Sequence, residues 1–322
     1  MDKPILVLGG SGFIGRHLLA QLEAVGRQVR VISRGYDQAR PLLVLPHVRV
    51  FFGSVHDEDV LRQAMAGTHT LVNLVGILHE GRRGAFDDIH VGLPRRLVRL
   101  AMESNCVRLI HISAAGVAPD APSAYLRSKA AGERVYEAAL EQHPDCGLEV
   151  HLIRPSVVVG PDDHLTQRLL TMARLSPLVL PLPSAKAQLA PVYVYDLVTA
   201  LVRIITNVHH HPGLSRWCFC GPEVLTFQEM VTTLLRLCAI RRVVVPMPDG
   251  MARLAAFILE RLPGMLLSRD NLASLTIPSV CASNDLPRWG VTEPLPFEAV
   301  VRRHFVGRHG QRRYDVLRSV SD

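Results

Sequence analysis

A glycine-rich turn directly after the first apolar segment limits the folds that this chain can adopt. Residues Pro4–Leu8 form an apolar run, and Gly9, Gly12 and Gly15 follow it at G-x-x-G-x-x-G spacing. An amphipathic segment then spans Gly12–Val25, so the order is strand, tight turn and helix. Glycines at these positions permit the turn, the close approach of a diphosphate and tight helix packing. We predict a dinucleotide site, with the diphosphate on the helix N-terminus; the alternative is a turn that binds nothing.

Strand-like and helix-like segments alternate through the first half, which predicts β-α units around a parallel sheet. The fold class is therefore α/β, a doubly wound Rossmann sheet with a smaller C-terminal α/β lobe. We assign 1–160 to the dinucleotide-binding domain, its sheet completed by about 190–220, then 161–189 and 221–306 to a substrate or partner lobe and 307–322 to a basic tail. Strands are predicted at Pro4–Leu8, Gln28–Ser33, Val48–Phe52, Thr70–Val75, Val107–Ser113, Glu149–Arg154 and Arg216–Cys220, and helices at 12–25, 57–66, 123–142, 226–238, 249–262 and 296–305.

The composition suits a parallel sheet covered by helices. Hydrophobic residues make up 48% of the 322 residues and aromatic residues only 5%, so aliphatic side chains must fill the core. The most apolar stretch, Met251–Leu267, contains Arg253, Glu260 and Arg261, and it falls short of the ~18 uncharged residues of a membrane span. The first residues predict a strand rather than a signal peptide. We expect a cytoplasmic protein that is soluble or lies peripherally at the inner face of the cytoplasmic membrane.

Charge and cysteine usage add two further expectations. The formal charge is +7, from 36 basic and 29 acidic residues. A C-terminal arginine cluster is either a solvated tail or a contact with an acidic partner or an anionic membrane surface. Six cysteines without a C-x-x-C pair predict buried thiols in a reducing compartment rather than a disulfide framework. The clustered arginines are Arg302, Arg303, Arg308, Arg312, Arg313 and Arg318.

The end of the second strand indicates which dinucleotide binds. NAD(H) sites usually carry an acidic residue there, but this strand ends in Ser33-Arg34 and no carboxylate occurs before Asp37. A guanidinium can pair with a 2′-phosphate and a serine can donate to it. We therefore predict NADP(H) rather than NAD(H); the alternative is that Arg34 is only a surface arginine.

A tyrosine and a lysine are spaced for proton chemistry. Tyr125 and Lys129 lie at i and i+4 on one face of the helix predicted over 123–142. Ser113 ends the fifth strand, at the sheet edge where the nicotinamide would lie. The ammonium is expected to favour the phenolate, so that Tyr125 acts as acid or base while Ser113 holds a substrate oxygen. The alternative is a lysine that only binds the nicotinamide ribose.

Other polar groups point less clearly to chemistry. His209, His210 and His211 cannot all face one ion, so a solvated loop is preferred to a metal site. Asp162 and Asp163 are interpreted as a helix cap, and nucleic-acid binding is not predicted, because aromatics do not interleave with the basic residues.

The smaller lobe contains apolar segments that suit a quinone, isoprenoid or lipid-like molecule, or that simply form its core. They are 172–189 and the helix at 249–262, with its apolar side chains Met251, Leu254, Ala255, Phe257, Ile258 and Leu262.

These motifs together resemble the extended, atypical branch of the short-chain dehydrogenase/reductase superfamily, over roughly residues 4–305. More narrowly, the segments 73–80, 123–133, 154–156, 191–194 and 221–226 are similar to the family of the NADPH-binding accessory subunit of respiratory complex I and its bacterial epimerase/dehydratase-like relatives. The resemblance implies tightly held NADPH, a structural or assembly role in mitochondrial members and a tie to ubiquinone synthesis in others.

By this resemblance, Leu74, Val75 and Gly76 should border the adenosine half of the cofactor, and Pro155, Ser156 and Val157 the nicotinamide. Two positions depart from the superfamily. Ser54 of Gly53-Ser54-Val55 replaces an aspartate near adenine, and His90 replaces an asparagine that takes part in a water relay.

The predicted catalytic residues are Ser113, Tyr125 and Lys129, and no metal ligand is predicted. The predicted cofactor-binding residues are Gly9, Ser11, Gly12, Phe13, Ile14, Gly15, Ser33, Arg34, Ser54, Val55, Leu74, Val75, Gly76, Ser113, Tyr125, Lys129, Pro155, Ser156 and Val157.

We therefore expect an NADP(H)-binding protein linked to respiratory complex I or ubiquinone metabolism, as a cofactor-stabilised accessory or assembly factor or a slow reductase. The alternative is an active epimerase, dehydratase or reductase that acts on a sugar or other small carbonyl or alcohol through Tyr125 and Lys129.

Overall fold

A seven-stranded, all-parallel sheet forms the centre of the molecule. The structure is a computed structural model that describes residues 3–259 and 268–306. Its strands are β1 (Ile5–Leu8), β2 (Val29–Ser33), β3 (Val48–Phe52), β4 (Thr70–Asn73), β5 (Arg108–Ile112), β6 (Glu149–Pro155) and β11 (Gly213–Phe219). The strand order is β11-β6-β5-β4-β1-β2-β3, so successive strands are added on one side of β1 up to β3 and on the other side from β4 onwards, as in doubly wound folds.

Helices cover both faces of this sheet because successive strand residues point to opposite sides. Ile5 and Val7 of β1 pack into one cluster of buried residues, and Leu6 and Leu8 pack into the other. The helices of this part of the molecule are α1 (Phe13–Ala24), α2 (Tyr36–Ala39), α3 (Glu58–Met65), α4 (Ala85–Asp87), α5 (Leu93–Glu103), α6 (Ala124–Gln142) and α8 (Val194–Thr206). Helices α1 and α8 contribute to the first cluster and α3, α5 and α6 to the second.

The smaller lobe contains three two-stranded sheets and the remaining helices. Strand β7 (Val158–Val159) pairs with β10 (Val192–Tyr193), β8 (Val179–Leu182) with β13 (Val243–Pro246), and β9 (Gln188–Leu189) with β12 (Leu225–Thr226). Its helices are α7 (His164–Leu175), α9 (Phe227–Leu237), α10 (Asp249–Leu259), α11 (Arg269–Ser274) and α12 (Phe297–His304).

The fold class is the one predicted, and the seventh strand is present, starting three residues before the predicted Arg216. Besides the short helices α2, α4 and α11, the predictions lack α5, α7 and α8, the last two in a region where strands and helices no longer alternate regularly. Within the described residues, no helix is both long and apolar enough to cross a membrane. The predicted tail at 307–322 and the predicted end of the helix at Leu262 lie outside the described residues.

The prediction that no disulfide forms is wrong. Cys220, at the end of β11, is bonded to Cys281, which lies 61 residues further along the chain. The segment after α11 returns to the end of β11, where Asn284 accepts a hydrogen bond from the Cys220 N–H and donates one to its carbonyl. Spacing in sequence cannot show this return, because it depends on tertiary packing. Cys106 and Cys238 are free and buried, as predicted.

Candidate functional site

The glycine loop leaves the start of α1 open to an anion. Gly9 has a φ of +78°, a left-handed conformation that favours glycine. A Cβ on Gly15 would lie 2.3 Å from the Gly9 carbonyl oxygen, so only glycine lets the helix start so close to β1. Gly12 is the N-cap of α1, no side chain caps the helix, and its first turn has no acidic residue. Free N–H groups and the positive end of the helix dipole thus fit a diphosphate.

Cationic groups gather beyond the end of β2, where the adenosine ribose would lie. Arg34 is exposed, whereas Ser33 is buried and donates to the Gly35 carbonyl at 3.2 Å, so it is not free to donate to a phosphate. His56, after β3, lies 3.0 Å from the Arg96 guanidinium. Burial lowers the pKa of His56, and the charges of Arg96, Arg82 and Arg34 add to the effect while Asp88 opposes it. This neighbourhood favours an anionic substituent.

The predicted adenine contacts follow β3 and β4, which β1 and β2 separate in the sheet. The Ser54 hydroxyl accepts from the His56 N–H at 3.1 Å, which leaves its own proton free to donate. After β4, the buried Asn73 accepts from the Val75 N–H and holds the turn that leads to Gly76. The strand ends thus present Ser54, Val55 and the 74–76 turn to one edge of the sheet, as parallel pairing requires.

Lys129 reaches from α6 to the end of β5. Its Nζ donates to the Ile112 carbonyl at 2.9 Å, and a Cβ on Gly76 would lie only 3.2 Å from the same Nζ. Burial lowers the pKa of Lys129 to about 8, while the charge of Glu133 acts in the opposite direction. The ammonium therefore faces the cleft between the ends of β4 and β5.

Ser113 directly follows β5 and offers a hydroxyl without a partner. Its side chain is only 4% exposed, and its Oγ has no hydrogen-bond partner among the described residues. Most buried polar groups are satisfied, so an orphan of this kind marks a place where a ligand atom can bind. The geometry thus fits a substrate oxygen at Ser113.

The pKa of Tyr125, in the first turn of α6, is shifted in the direction opposite to the one expected. Burial raises the pKa of its phenol to about 12, so the prediction that the Lys129 ammonium favours the phenolate is wrong for this arrangement. Desolvation disfavours the charged form, and the phenol is neutral at neutral pH. Its ring contacts those of His90 and Phe86, with centroids 5.7 and 6.2 Å away.

His90 lies on a π-helical turn, Asp88–Gly92, that joins α4 to α5. Its Nε2 accepts from the Ile77 N–H at 3.2 Å, so its Nδ1 carries the proton and faces the Ser128 hydroxyl at 2.8 Å. Ser128 in turn donates to the Tyr125 carbonyl. Burial and the Lys129 charge lower the pKa of His90 to about 3. His90 therefore stays neutral and links the turn after β4 to α6; the sequence showed only that it replaces asparagine.

A second buried polar chain lies behind Lys129. The Asn73 amide meets the His111 Nδ1 at 3.0 Å, and the Tyr136 hydroxyl lies 3.4 Å from the same nitrogen. Burial holds the pKa of His111 well below its usual value, with the charges of Lys129 and His90 adding to the effect. His90 and His111 are therefore both neutral, and Lys129 supplies the positive charge in this part of the cleft.

The segment 268–285 crosses the substrate side of the cleft, and the sequence predictions missed it. The Asp270 carboxylate accepts from the Ala124 N–H at 2.6 Å and the Tyr125 N–H at 3.1 Å, at the start of α6. Further along, Ile277 lies where a Cβ on Gly116 would be 3.0 Å from it. One segment thus touches the loop after β5 and the helix that carries Tyr125.

The same segment contacts the residues predicted beside the nicotinamide. Ser156 is buried and donates to the Ser279 carbonyl at 2.5 Å, while Val157 accepts from the Val192 N–H through its carbonyl. The Pro155 carbonyl accepts from the Ala115 N–H. Pro155, Ser156 and Val157 thus tie the end of β6 to β5 and to the smaller lobe.

Other predicted features lie outside this cleft. Asp163 caps α7 by accepting from the Thr166 N–H, as predicted, and His210 contacts the Gly147 carbonyl and Glu149 at the opposite edge of the sheet. Across the described parts of the chain, no three His, Cys, Asp or Glu side chains are grouped to hold a metal ion. Of the apolar lobe segment, Leu180, Leu182 and Leu189 belong to the main core.

Comparison with known proteins places this geometry in a family. The sequence profile of the NAD dependent epimerase/dehydratase family matches residues 5–214, the part that contains the glycine loop, Ser113, Tyr125 and Lys129. The chain belongs to this family. A solved UDP-glucose 4-epimerase from Bifidobacterium longum, in complex with NAD+ and UDP, superposes with a TM-score of 0.71 at 15% identity, covering 93% of this chain and 96% of that one. At that identity the likeness shows the fold alone.

Two curated relatives are similar in sequence. The mitochondrial NADH dehydrogenase (ubiquinone) 1 alpha subcomplex subunit 9 of Arabidopsis thaliana is 28% identical over 294 residues, 87% of this chain and 71% of the relative. A ceramide reductase of Caulobacter vibrioides is 27% identical over 198 residues, 62% of this chain and 59% of the relative.

Proposed function

We propose that this chain holds NADP(H) and acts through it as a cofactor-stabilised accessory or assembly factor of respiratory complex I or of ubiquinone metabolism. The proposal rests on one observation: Arg34 is exposed at the end of β2, next to the glycine loop of Gly9, Gly12 and Gly15. A guanidinium there suits a 2′-phosphate, and a carboxylate that would bind the free ribose hydroxyl is missing from Ser33 to Tyr36.

The accessory role is supported by a relative of known name and by the segment 268–285, which is bonded to several elements around the cleft. The Arabidopsis relative is named as a complex I subunit and aligns over most of this chain. The 268–285 segment is bonded to the ends of β6, β11 and α6 on the substrate side, an arrangement that suits retention of the cofactor. The proposed location is the cytoplasm, peripherally at the inner face of the cytoplasmic membrane.

A second candidate function is reduction of a hydrophobic carbonyl compound, such as a quinone or a lipid-like ketone. It is favoured by the unpartnered, buried hydroxyl of Ser113 and the neutral phenol of Tyr125, which can donate to a carbonyl oxygen. The ceramide reductase relative supports it too. The sugar epimerase or dehydratase alternative has weaker support, because such reactions begin with removal of a proton from an alcohol.

The cofactor is tested by releasing the nucleotide from purified protein and identifying it by mass. Arg34→Ala should weaken NADPH binding by roughly ten- to a hundredfold, the contribution of a charge-assisted hydrogen bond, and leave NADH binding unchanged. Arg49→Ala is the matched control, because Arg49 is an exposed strand residue on β3. Equal loss for both dinucleotides, or no loss for NADPH, would contradict the choice of NADP(H).

The role is tested with Tyr125→Phe in a host that normally carries this protein. An accessory factor should keep NADPH and support normal complex I assembly with the phenylalanine, whereas a reductase should lose turnover of short-chain quinones or long-chain ketones. Lys129→Ala should reduce cofactor retention in both cases, since the ammonium faces the cleft. Normal assembly in a strain that lacks the gene entirely would exclude the assembly role.

A further inference from the structure

An apolar surface lies on the smaller lobe, on the parallel pair formed by β8 and β13. Val179 of β8 pairs with Val243 of β13, and Pro181 pairs with Val245. Paired residues of parallel strands share a face, and every second residue returns to it. All four of these residues are exposed, whereas Leu180 and Leu182, the alternate residues of β8, are buried. This two-stranded sheet therefore presents an entirely apolar face to solvent.

Two exposed leucines come just before β8, and the carbonyl of the second, Leu178, accepts from the Val243 N–H at 3.0 Å beside this face. Leu175 and Leu178 are 81% and 74% exposed, more than the three exposed valines of the strand pair, of which Val243 is the most exposed at 64%. Scattered exposed apolar residues are normal on a protein surface, but a contiguous set marks a binding surface. We name the set the β8–β13 face: Leu175, Leu178, Val179, Pro181, Val243 and Val245.

Arginines stand at the same end of both strands. Arg174 precedes Leu175, and Arg241 and Arg242 precede Val243. Arg242 donates to the Ser176 carbonyl at 2.6 Å, which fastens the start of β13 to the start of the β8 segment. Arg174 and Arg241 are exposed, and the first acidic residue after β13 is Asp249, beyond the opposite end of the pair. The face thus has an apolar body and a basic margin.

We propose that the β8–β13 face docks on the surface of an anionic lipid membrane. Protruding leucine and valine side chains can enter the boundary between headgroups and acyl chains, and arginines at one margin can contact lipid phosphates. An apolar protein partner would not require the basic margin, and an acidic one would not require so many exposed aliphatic side chains. The inference deepens the proposed peripheral location and is independent of the cofactor and the reaction.

The proposal is tested by sedimentation of the full chain with vesicles of phosphatidylcholine alone and vesicles that also contain phosphatidylglycerol. Binding is expected only to the second kind, and it should weaken as salt is added. Leu178→Asp and Val243→Asp should each reduce partition into these vesicles at least about tenfold, since each removes an inserted apolar side chain and adds a repelled charge. Arg241→Gln should cause a smaller loss, which high salt abolishes.

The matched control is Val208→Asp, because Val208 is 88% exposed and precedes β11 at the opposite edge of the sheet. It should bind vesicles as the unchanged chain does. NADPH retention measured on every variant shows that the fold persists, and it separates failure of this inference from failure of the proposed cofactor.

Three results would overturn the proposal. The first is an absence of binding to either kind of vesicle, and the second is full binding by Leu178→Asp and Val243→Asp, as would occur if another basic region held the lipid. The third is a concentration-dependent dimer that Val243→Asp abolishes while vesicles are not bound, because the face would then serve a second copy of the chain.

Discussion

Replacement of Lys129 by methionine should stabilise the cofactor-free protein. The side chain is buried, and burial lowers the pKa of its ammonium from 10.5 to about 8. That difference corresponds to roughly 3 kcal/mol by which burial of the charge disfavours folding at neutral pH. Methionine removes the charge at similar length but leaves the Ile112 carbonyl without its donor, which costs about 1 kcal/mol. The net gain should be about 2 kcal/mol.

The gain should disappear at alkaline pH. Below pH 8 the lysine is protonated in the native and unfolded protein, so the full penalty applies. As pH rises from 8 towards 10.5 the native lysine loses its proton first, and the unchanged protein gains stability relative to the variant. Urea unfolding of nucleotide-free protein should therefore show an advantage of about 2 kcal/mol at pH 7 and about none at pH 10.

The same substitution, Lys129→Met, should lower cofactor affinity although it raises stability. The Nζ lies beside Gly76 at the cleft, so Lys129→Met should weaken NADPH binding while it raises stability, as is common where a strained group serves function. Lys186→Met is the control, since Lys186 is exposed and the substitution should leave stability and its pH dependence unchanged. A less stable Lys129→Met protein, or an advantage that persists unchanged to pH 10, would refute the reasoning.

Three further substitutions test other parts of the cleft. Gly15→Ala should abolish dinucleotide binding in a fluorescence titration, because its Cβ would lie 2.3 Å from the Gly9 carbonyl oxygen; retained affinity would show that α1 can shift. Gly132→Ala should destabilise the fold by about 1–3 kcal/mol in urea, since its Cβ would lie 2.1 Å from the His90 carbonyl oxygen, whereas Gly147→Asn, at an open loop glycine with φ +66°, should be nearly neutral. Asp270→Asn should cost about 1 kcal/mol, because the amide offers one acceptor oxygen to two N–H groups, and an unchanged free energy of unfolding would deny Asp270 a capping role.

Local signals predicted the sheet well, because each strand of the main sheet combines an apolar run with a clear stop. Val48–Phe52 is found with the predicted ends, and the other strands of the first six differ by one or two residues at either end. Helices α5, α7 and α8 escaped prediction. α8 buries seven residues, among them Leu197, Leu201 and Ile204, but the strand before it, Val192–Tyr193, has only two residues, so the alternation of strand and helix is not visible there.

Residues of the candidate site could be proposed from sequence where they directly follow strands or share a face of one helix, as Tyr125 and Lys129 do. Gly9 and Ser113 directly follow strands, and parallel pairing brings such ends to one edge of the sheet. Asp270 and Cys281 come to the cleft through the 268–285 segment, whose path depends on the packing of the smaller lobe. The protonation states of Tyr125 and Lys129 could not be predicted either, because they also depend on tertiary packing. The spacing of Tyr125 and Lys129 indicates proximity, but the extent of burial decides which proton is lost first.

The order of those two protonations bears on the choice between catalytic roles. The pKa is about 12 for Tyr125 and about 8 for Lys129. The phenol is therefore protonated at neutral pH, and the Lys129 ammonium is the stronger acid of the two. A neutral phenol can donate to a carbonyl oxygen, whereas removal of a proton from an alcohol requires the phenolate. This order of the two pKa values supports the proposed reduction of a carbonyl more than the proposed epimerase or dehydratase activity, which begins with removal of a proton from an alcohol.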